Sequence, residues 1–219
     1  MRFRTVLFDL DGTLIDHLPA IHRSYAHTLP LLGLPAPTCQ QVKNAIGGGL
    51  ENAMCKFVPE AQMAESLRIY RAFWNTHMLE GVDVLSGARE LLTDLHARGI
   101  SCAVFTNKHG PSARAVCDHL GLTPCLDLVL GAADTDWLKP QPEFAAHALA
   151  ALKAAAATTC LVGDSPWDVQ AAHAAGFPCF AVTTGTHSAD ELRAAGADAI
   201  YDSLLALGAA EFAPDADRV

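Results

Sequence analysis

Residues 5–14 read Thr5-Val6-Leu7-Phe8-Asp9-Leu10-Asp11-Gly12-Thr13-Leu14, a short apolar run that ends in two carboxylates and a glycine. Such a run, bounded by polar residues, is the pattern of a strand buried on both faces. Equivalent runs return at Ser101 to Phe105, Leu126 to Leu130, Thr159 to Val162, Cys179 to Val182 and Ala197 to Ile200. Helical periodicity fills the gaps at Ser86 to Arg98, Pro142 to Lys153, Pro166 to Ala175 and Ser188 to Ala195, with Gly99 and Gly176 as stop signals. Strand and helix alternate through the second half, which predicts an α/β fold: a Rossmann-like, mostly parallel sheet with helices on both faces.

Between His17 and Val82 the alternation stops. The segment offers helical stretches at Ala20 to Leu32, Leu50 to Phe57 and Ala61 to Met78, with no strand pattern among them. An all-helical cap domain inserted at 17–82 is therefore expected, with the catalytic core made of 1–16 and 83–219. Charge follows the same boundary. Residues 17–82 carry five cations against four carboxylates, a net of +1, so the remainder holds −10 of the total −9.

A length of 219 residues admits one domain with a large insertion or two modest ones. With 51% hydrophobic and 18% charged residues the chain is too apolar for intrinsic disorder. The net charge of −9 repels a polyanion, so no nucleic-acid partner is expected. Met1-Arg2-Phe3-Arg4 leads straight into the first strand without a signal-peptide core, and no stretch of about eighteen apolar residues follows anywhere, which predicts a soluble, cytoplasmic protein without a membrane partner. The seven cysteines are odd in number and scattered, with no C-x-x-C pair, so a disulfide framework or zinc site is not expected. Cys102, Cys160 and Cys179 sit in apolar runs and read as buried small hydrophobes. Nothing in the sequence reports on oligomeric state.

Polar clusters punctuate the strands: Asp9 to Thr13 after the first, Thr106-Asn107-Lys108 after the second, Lys139-Pro140 after the third, and Gly163-Asp164-Ser165-Pro166-Trp167-Asp168 after the fourth. In a parallel sheet the strand carboxyl ends share one edge, so these groups converge. Asp9, Asp11, Asp164 and Asp168 brought that close require a cation, and an all-oxygen donor set selects a hard ion such as Mg²⁺. A carboxylate, a hydroxyl, a lysine and a metal are the parts that hold a phosphoryl group and spread its charge.

Taken in order, these motifs resemble the haloacid dehalogenase superfamily, in its phosphoglycolate-phosphatase-like branch with a helical cap after the first motif. The resemblance spans nearly the whole chain and rests on Phe8 to Leu14, Thr106-Asn107-Lys108, Lys139-Pro140-x-Pro142-Glu143, and Val162-Gly163-Asp164-Ser165-x-x-Asp168 with the small residues that follow it. It implies a Mg²⁺-dependent phosphatase acting on a small phosphorylated metabolite. Asp9 would be the nucleophile that becomes an aspartyl-phosphate, and Asp11 the acid for the leaving oxygen and then the base for water. Thr106 and the Asn107 amide would bind phosphate oxygens, and Lys139 would neutralise charge. Asp9, the Asp11 carbonyl and Asp164 would hold the metal, with Asp168 in support.

Blander roles exist for each motif. Asp11-Gly12 could be a turn, Thr106-Asn107 a helix cap, Lys139 a loop residue, and Asp164-Ser165-Pro166 an N-cap; Lys108 and Ser165 favour a solvated and a capping role respectively. Within the superfamily, Asp11 argues against a dehalogenase, which needs no proton donor there. A phosphomutase of the β-phosphoglucomutase kind would carry His ten residues beyond the second Asp, where Ile21 stands here with His22 one place off. A phosphonoacetaldehyde hydrolase would use a cap lysine, for which Lys43 or Lys56 could be nominated. A non-catalytic phosphometabolite-binding regulator is disfavoured, because Asp9, Asp11, Lys139 and Asp164 are all present. His17 occupies a position where relatives commonly carry Ser or Thr, at the hinge into the cap, and becomes a candidate substrate contact. The glycines around Gly48 in Ile46-Gly47-Gly48-Gly49-Leu50 precede a helix. They could present amides to an anion such as the carboxylate of 2-phosphoglycolate, or simply form a flexible connection.

Overall fold

The structure, a computed structural model, describes residues 2–213. Met1 and residues 214–219, which the sequence reading assigns to the core, lie outside the described residues. In chain order the elements are β1 (Thr5–Phe8), β2 (Ile15–Asp16), α1 (Leu18–Leu31), α2 (Cys39–Lys43), α3 (Leu50–Met54), α4 (Met63–His77), β3 (Asp83–Val84), α5 (Ala88–Ala97), β4 (Ser101–His109), α6 (Gly110–His119), β5 (Leu128–Ala132), α7 (Pro142–Leu152), β6 (Thr159–Gly163), α8 (Pro166–Ala174), β7 (Cys179–Val182), α9 (Ala189–Ala195), β8 (Ala199–Tyr201) and α10 (Leu204–Glu211).

Six strands form one sheet in the order β5-β4-β1-β6-β7-β8, and every neighbouring pair is parallel. Side chains alternate between its faces. Val6, Phe8, Val104, Val162 and Val182 pack into a cluster with Leu91, Leu92, Leu95 and Leu207 of α5 and α10. Leu7, Ala103, Phe105 and Leu161 face the other way, against Phe144, Ala145, Val169 and Ala172 of α7 and α8. Both faces are covered, which is why each central strand is apolar without interruption. β1 lies between β4 and β6, so the chain leaves their shared carboxyl edge at Asp9, Thr106 and Asp164.

A third cluster draws only on residues 18–78: Tyr25, Leu29, Met54, Tyr70 and Trp74, among others from α1, α3 and α4. The chain enters and leaves this helical body through a two-stranded antiparallel ribbon in which Asp16 pairs with Asp83. Each strand of the ribbon has two residues, too few for any periodicity to show in sequence.

Three helices lie outside the expected set. α2 opens on a Thr38–Gln41 capping box. α6 starts at Gly110-Pro111 with no side-chain cap, and α10, capped by Ser203, is apolar on every side until Glu211. β4 also runs on to His109 rather than stopping at Phe105. Its pairing with β5 shifts register between those residues, and Thr106-Asn107-Lys108 stand in that irregular stretch. Among the described residues no helix is long and apolar enough to cross a membrane.

Candidate active site

Asp9 follows β1 directly and is nearly buried. Its Oδ1 accepts a 2.8 Å bond from Lys139 Nζ, and the same ammonium donates to Asp168 Oδ1 at 2.7 Å. Lys139 is thereby a buried cation clamped between two carboxylates, and the pair holds its proton more firmly than an ordinary lysine. Asp168 also accepts from the backbone N–H and hydroxyl of Ser165 through Oδ2, so Ser165 takes the capping role at the start of α8. Asp164 accepts from Thr13 Oγ1 at 3.2 Å and from the Thr186 N–H at 2.9 Å. Gly185 and Gly12 close over it: a Cβ on either would fall 1.8 or 2.8 Å from its Oδ2, and Gly12 also needs its φ of +87°.

Carboxylate oxygens of Asp9, Asp164 and Asp168 lie within 4.8 Å of one another, all three buried. Burial first, and then mutual repulsion, raises the pKa of Asp9 and raises that of Asp164 well above the usual range. Three hard oxygen donors under such repulsion fit Mg²⁺.

Asp11 stands apart from this group. Lys108 Nζ donates to both of its oxygens, at 2.8 and 3.0 Å, and the ammonium also lies 4.7 Å from the centre of the Trp74 ring. Burial favours protonation of Asp11, yet Lys108 foremost and then His17 hold it well below the ordinary carboxylate range. The solvated role expected for Lys108 is thus overturned: its side chain is only 7% exposed. His17 is buried, tilted against Trp74 with ring centres 4.9 Å apart, and bonded through Nε2 to the Met78 carbonyl at 2.6 Å. Its Nδ1 lies 3.3 Å from Asp11 Oδ1 but is not aligned as a hydrogen bond. His17 does not line the cavity; it backs Asp11 instead.

Thr106 is buried beside Asp9 at the sheet edge and faces the same cavity. The Asn107 carboxamide is fully used for positioning: Oδ1 accepts from the Lys139 N–H at 2.8 Å, and Nδ2 donates to the carbonyls of Lys139 and Gly47. The Asn107 side chain therefore has no N–H left for an anion.

Of the glycines considered above as an anion seat, Gly47 and Gly49 line the cavity. Gly48 does not line the cavity, and a Cβ on it would lie 3.1 Å from the Trp167 indole and 3.0 Å from Asn52. The helix behind it, α3, has five residues and carries Glu51 in its first turn, which disfavours an anion at that end. These glycines let the helical body sit close on Trp167. Together with the Asn107–Gly47 bond and a 3.2 Å bond from Trp74 Nε1 to Ser112 Oγ, they join the helices to the sheet edge.

The family model for haloacid dehalogenase-like hydrolases matches residues 6–182. The chain belongs to that family. This hydrolase is 36% identical to the plasmid-encoded phosphoglycolate phosphatase of Cupriavidus necator over 93% of its own length and 91% of the relative's. It is 35% identical to the probable phosphatase IndB of Dickeya dadantii over 90% and 89%. A crystal structure of a predicted phosphoglycolate phosphatase from Haemophilus somnus superposes with a TM-score of 0.86 at 25% identity, covering 93% of this chain and 96% of that one.

Between the sheet edge and the helices of the hydrolase lies a cavity of about 440 Å³, lined from the sheet edge by Asp9, Asp11, Thr106, Lys108 and Asp164 and from the helices by Tyr70 and Trp74. The residues that other family chemistries would require are not in it. His22 bonds the Pro37 carbonyl, and Lys56 bonds the carbonyls of Asn44 and Ala45. Lys43 is also absent from the lining. Cys102, Cys160 and Cys179 are buried, and burial pushes the Cys102 thiol up to about 12, so these thiols are inert packing groups.

Proposed function

We propose that this hydrolase is a Mg²⁺-dependent phosphatase of small phosphorylated metabolites, working through an aspartyl-phosphate on Asp9, with residues 17–82 as the cap that receives the leaving alcohol. The observation that carries the reading is the division of labour between two carboxylates two residues apart. Asp9 shares the Mg²⁺-fitting acidic group with Asp164 and Asp168, whereas Asp11 is drawn off by Lys108. Relatives named as phosphatases over about nine tenths of the chain support it.

In the first step an Asp9 oxygen bonds to phosphorus, the bond to the ester oxygen breaks, and that oxygen takes a proton from Asp11. In the free enzyme Lys108 keeps Asp11 ionised. A bound phosphoryl group brings negative charge alongside Asp11 and competes for Lys108, which raises Asp11 toward its acid form. In the second step water attacks the phosphorus, gives its proton to Asp11, and inorganic phosphate leaves the restored Asp9 carboxylate. Thr106 and the Asn107 amide hold phosphate oxygens, and Lys139 offsets charge on Asp9 throughout. Mg²⁺, held by Asp9, the Asp11 carbonyl and Asp164 with Asp168 behind them, would supply charge neutralisation to the transferring group.

Turnover of p-nitrophenyl phosphate tests the reading. Activity should vanish in EDTA and return with Mg²⁺, while Ca²⁺, with its looser and higher coordination, should inhibit. Full activity in EDTA would contradict it.

A further inference from the structure

The wall of the cavity that the helices supply, beginning beside Lys108, is aromatic. Tyr70 and Trp74 lie nearly parallel at 14° with ring centres 5.9 Å apart, and Tyr25 meets Tyr70 edge-on at 5.1 Å. Ile21, Leu50 and Leu138 complete the apolar lining. Tyr25, buried in the same wall, has a hydroxyl without a hydrogen-bond partner among the described residues.

Charge on this side is already balanced or negative. Arg71 lines the cavity but is paired with Glu51, and Lys108 is paired with Asp11. Asp136 and His109 are the other titratable groups of the lining outside the acidic cluster. A second anionic group on a substrate would find no spare cation here and would lose hydration against aromatic carbon.

We infer that this enzyme's substrate is the phosphomonoester of an uncharged, ring-bearing alcohol, whose ring packs on Tyr70 and Trp74 while a hydrogen-bonding group reaches the Tyr25 hydroxyl. The inference rests on the phosphatase reading for the position of the phosphoryl end and concerns only the other end. The cavity is ample for such an alcohol, since sites for ring-sized ligands start near 300 Å³ and are predominantly apolar with a few polar contacts. A two-carbon acid such as glycolate would leave most of it unfilled.

Three phosphonates that share the same P–CH₂–CH₂ arm separate the possibilities without requiring turnover. Their ends are phenyl (2-phenylethylphosphonate), carboxylate (3-phosphonopropionate) and methyl (propylphosphonate). Calorimetry in Mg²⁺ should show the phenyl compound binding about 10- to 100-fold tighter than the methyl one, the range for placing a ring in an apolar pocket. The carboxylate compound should bind no tighter than the methyl one.

Leu50→Arg places a cation at a half-buried position on this wall. It should tighten 3-phosphonopropionate relative to propylphosphonate by about tenfold and erase the phenyl preference, with circular dichroism and the melting temperature as the controls for folding. Tightest binding of the carboxylate compound to the native enzyme, or equal binding of phenyl and methyl, would overturn the inference. Ranked phosphonate binding without turnover of p-nitrophenyl phosphate would overturn the phosphatase reading and the substrate assignment with it, whereas turnover of p-nitrophenyl phosphate without that ranking would overturn the assignment alone.

Discussion

Lys108 grips both oxygens of Asp11 at 2.8 and 3.0 Å while resting on the face of Trp74, a residue of the inserted helices. The lysine that holds Asp11 ionised is therefore itself seated on an aromatic ring of the helical body. Trp74 is fixed in turn by its bond to Ser112, at the start of α6.

Lys108→Met should remove the main influence keeping Asp11 ionised. The pKa of Asp11 is depressed in the native protein, so its loss of the partner raises it, and the acid limb of the kcat profile should move to higher pH. Because proton transfer of this kind contributes about 10²- to 10⁴-fold, a fall in kcat of about 10- to 100-fold is expected at neutral pH. An unmoved pH profile would separate Lys108 from Asp11.

Asn107→Ala should cost about 1–3 kcal/mol of stability, since it strips partners from the backbone N–H and carbonyl of buried Lys139 and from the Gly47 carbonyl. Chemical denaturation measures this. Activity should drop more than stability explains, because Lys139 loses the support that aims it at Asp9; an activity loss that Mg²⁺ and substrate saturation fully restore would argue against that positioning role.

Gly48→Val should lower kcat/KM for 2-phosphoglycolate and for p-nitrophenyl phosphate by the same factor, because the added methyls push against the Trp167 indole and not against a bound ligand. A selective loss with 2-phosphoglycolate would restore the anion seat that the glycine run suggests in sequence.

Stability should couple to pH and metal through Asp164. Its pKa is raised in the folded state, so the free protein has an advantage in acid that is lost as pH climbs from the ordinary carboxylate value through the folded one. Mg²⁺ binds the ionised form. Thermal melts should therefore show a larger Mg²⁺-induced rise at about pH 7.5 than at about pH 4.5, approaching about 2.7 kcal/mol at a hundredfold excess over Kd. A rise independent of pH would remove these carboxylates from the metal site.

The strands and their punctuation are legible in sequence because a parallel sheet demands long apolar runs and places every strand end on one edge. Thus Asp9, Thr106, Lys139 and Asp164 could be gathered before any coordinates. What is hidden depends on tertiary approach. Lys108 reads as a solvated lysine because its burial comes from Trp74, which lies far away in the chain. The Gly185–Thr186 turn that clasps Asp164 follows β7 with no motif to mark it. His17 is visible as an odd residue, yet its place behind Asp11 follows only from the Met78 carbonyl that pins its other nitrogen.

The residue to which phosphorus becomes attached decides the mechanism. Native enzyme and an Asp11→Asn variant should be mixed with an activated phosphoester in Mg²⁺, quenched in acid, digested and read by mass spectrometry. The phosphoryl group should be on Asp9, accumulating in the Asp11→Asn variant because hydrolysis of the intermediate lacks its base, and absent from an Asp9→Asn variant. Phosphate on any other residue, or turnover by the Asp9→Asn variant at the native rate, would contradict the mechanism.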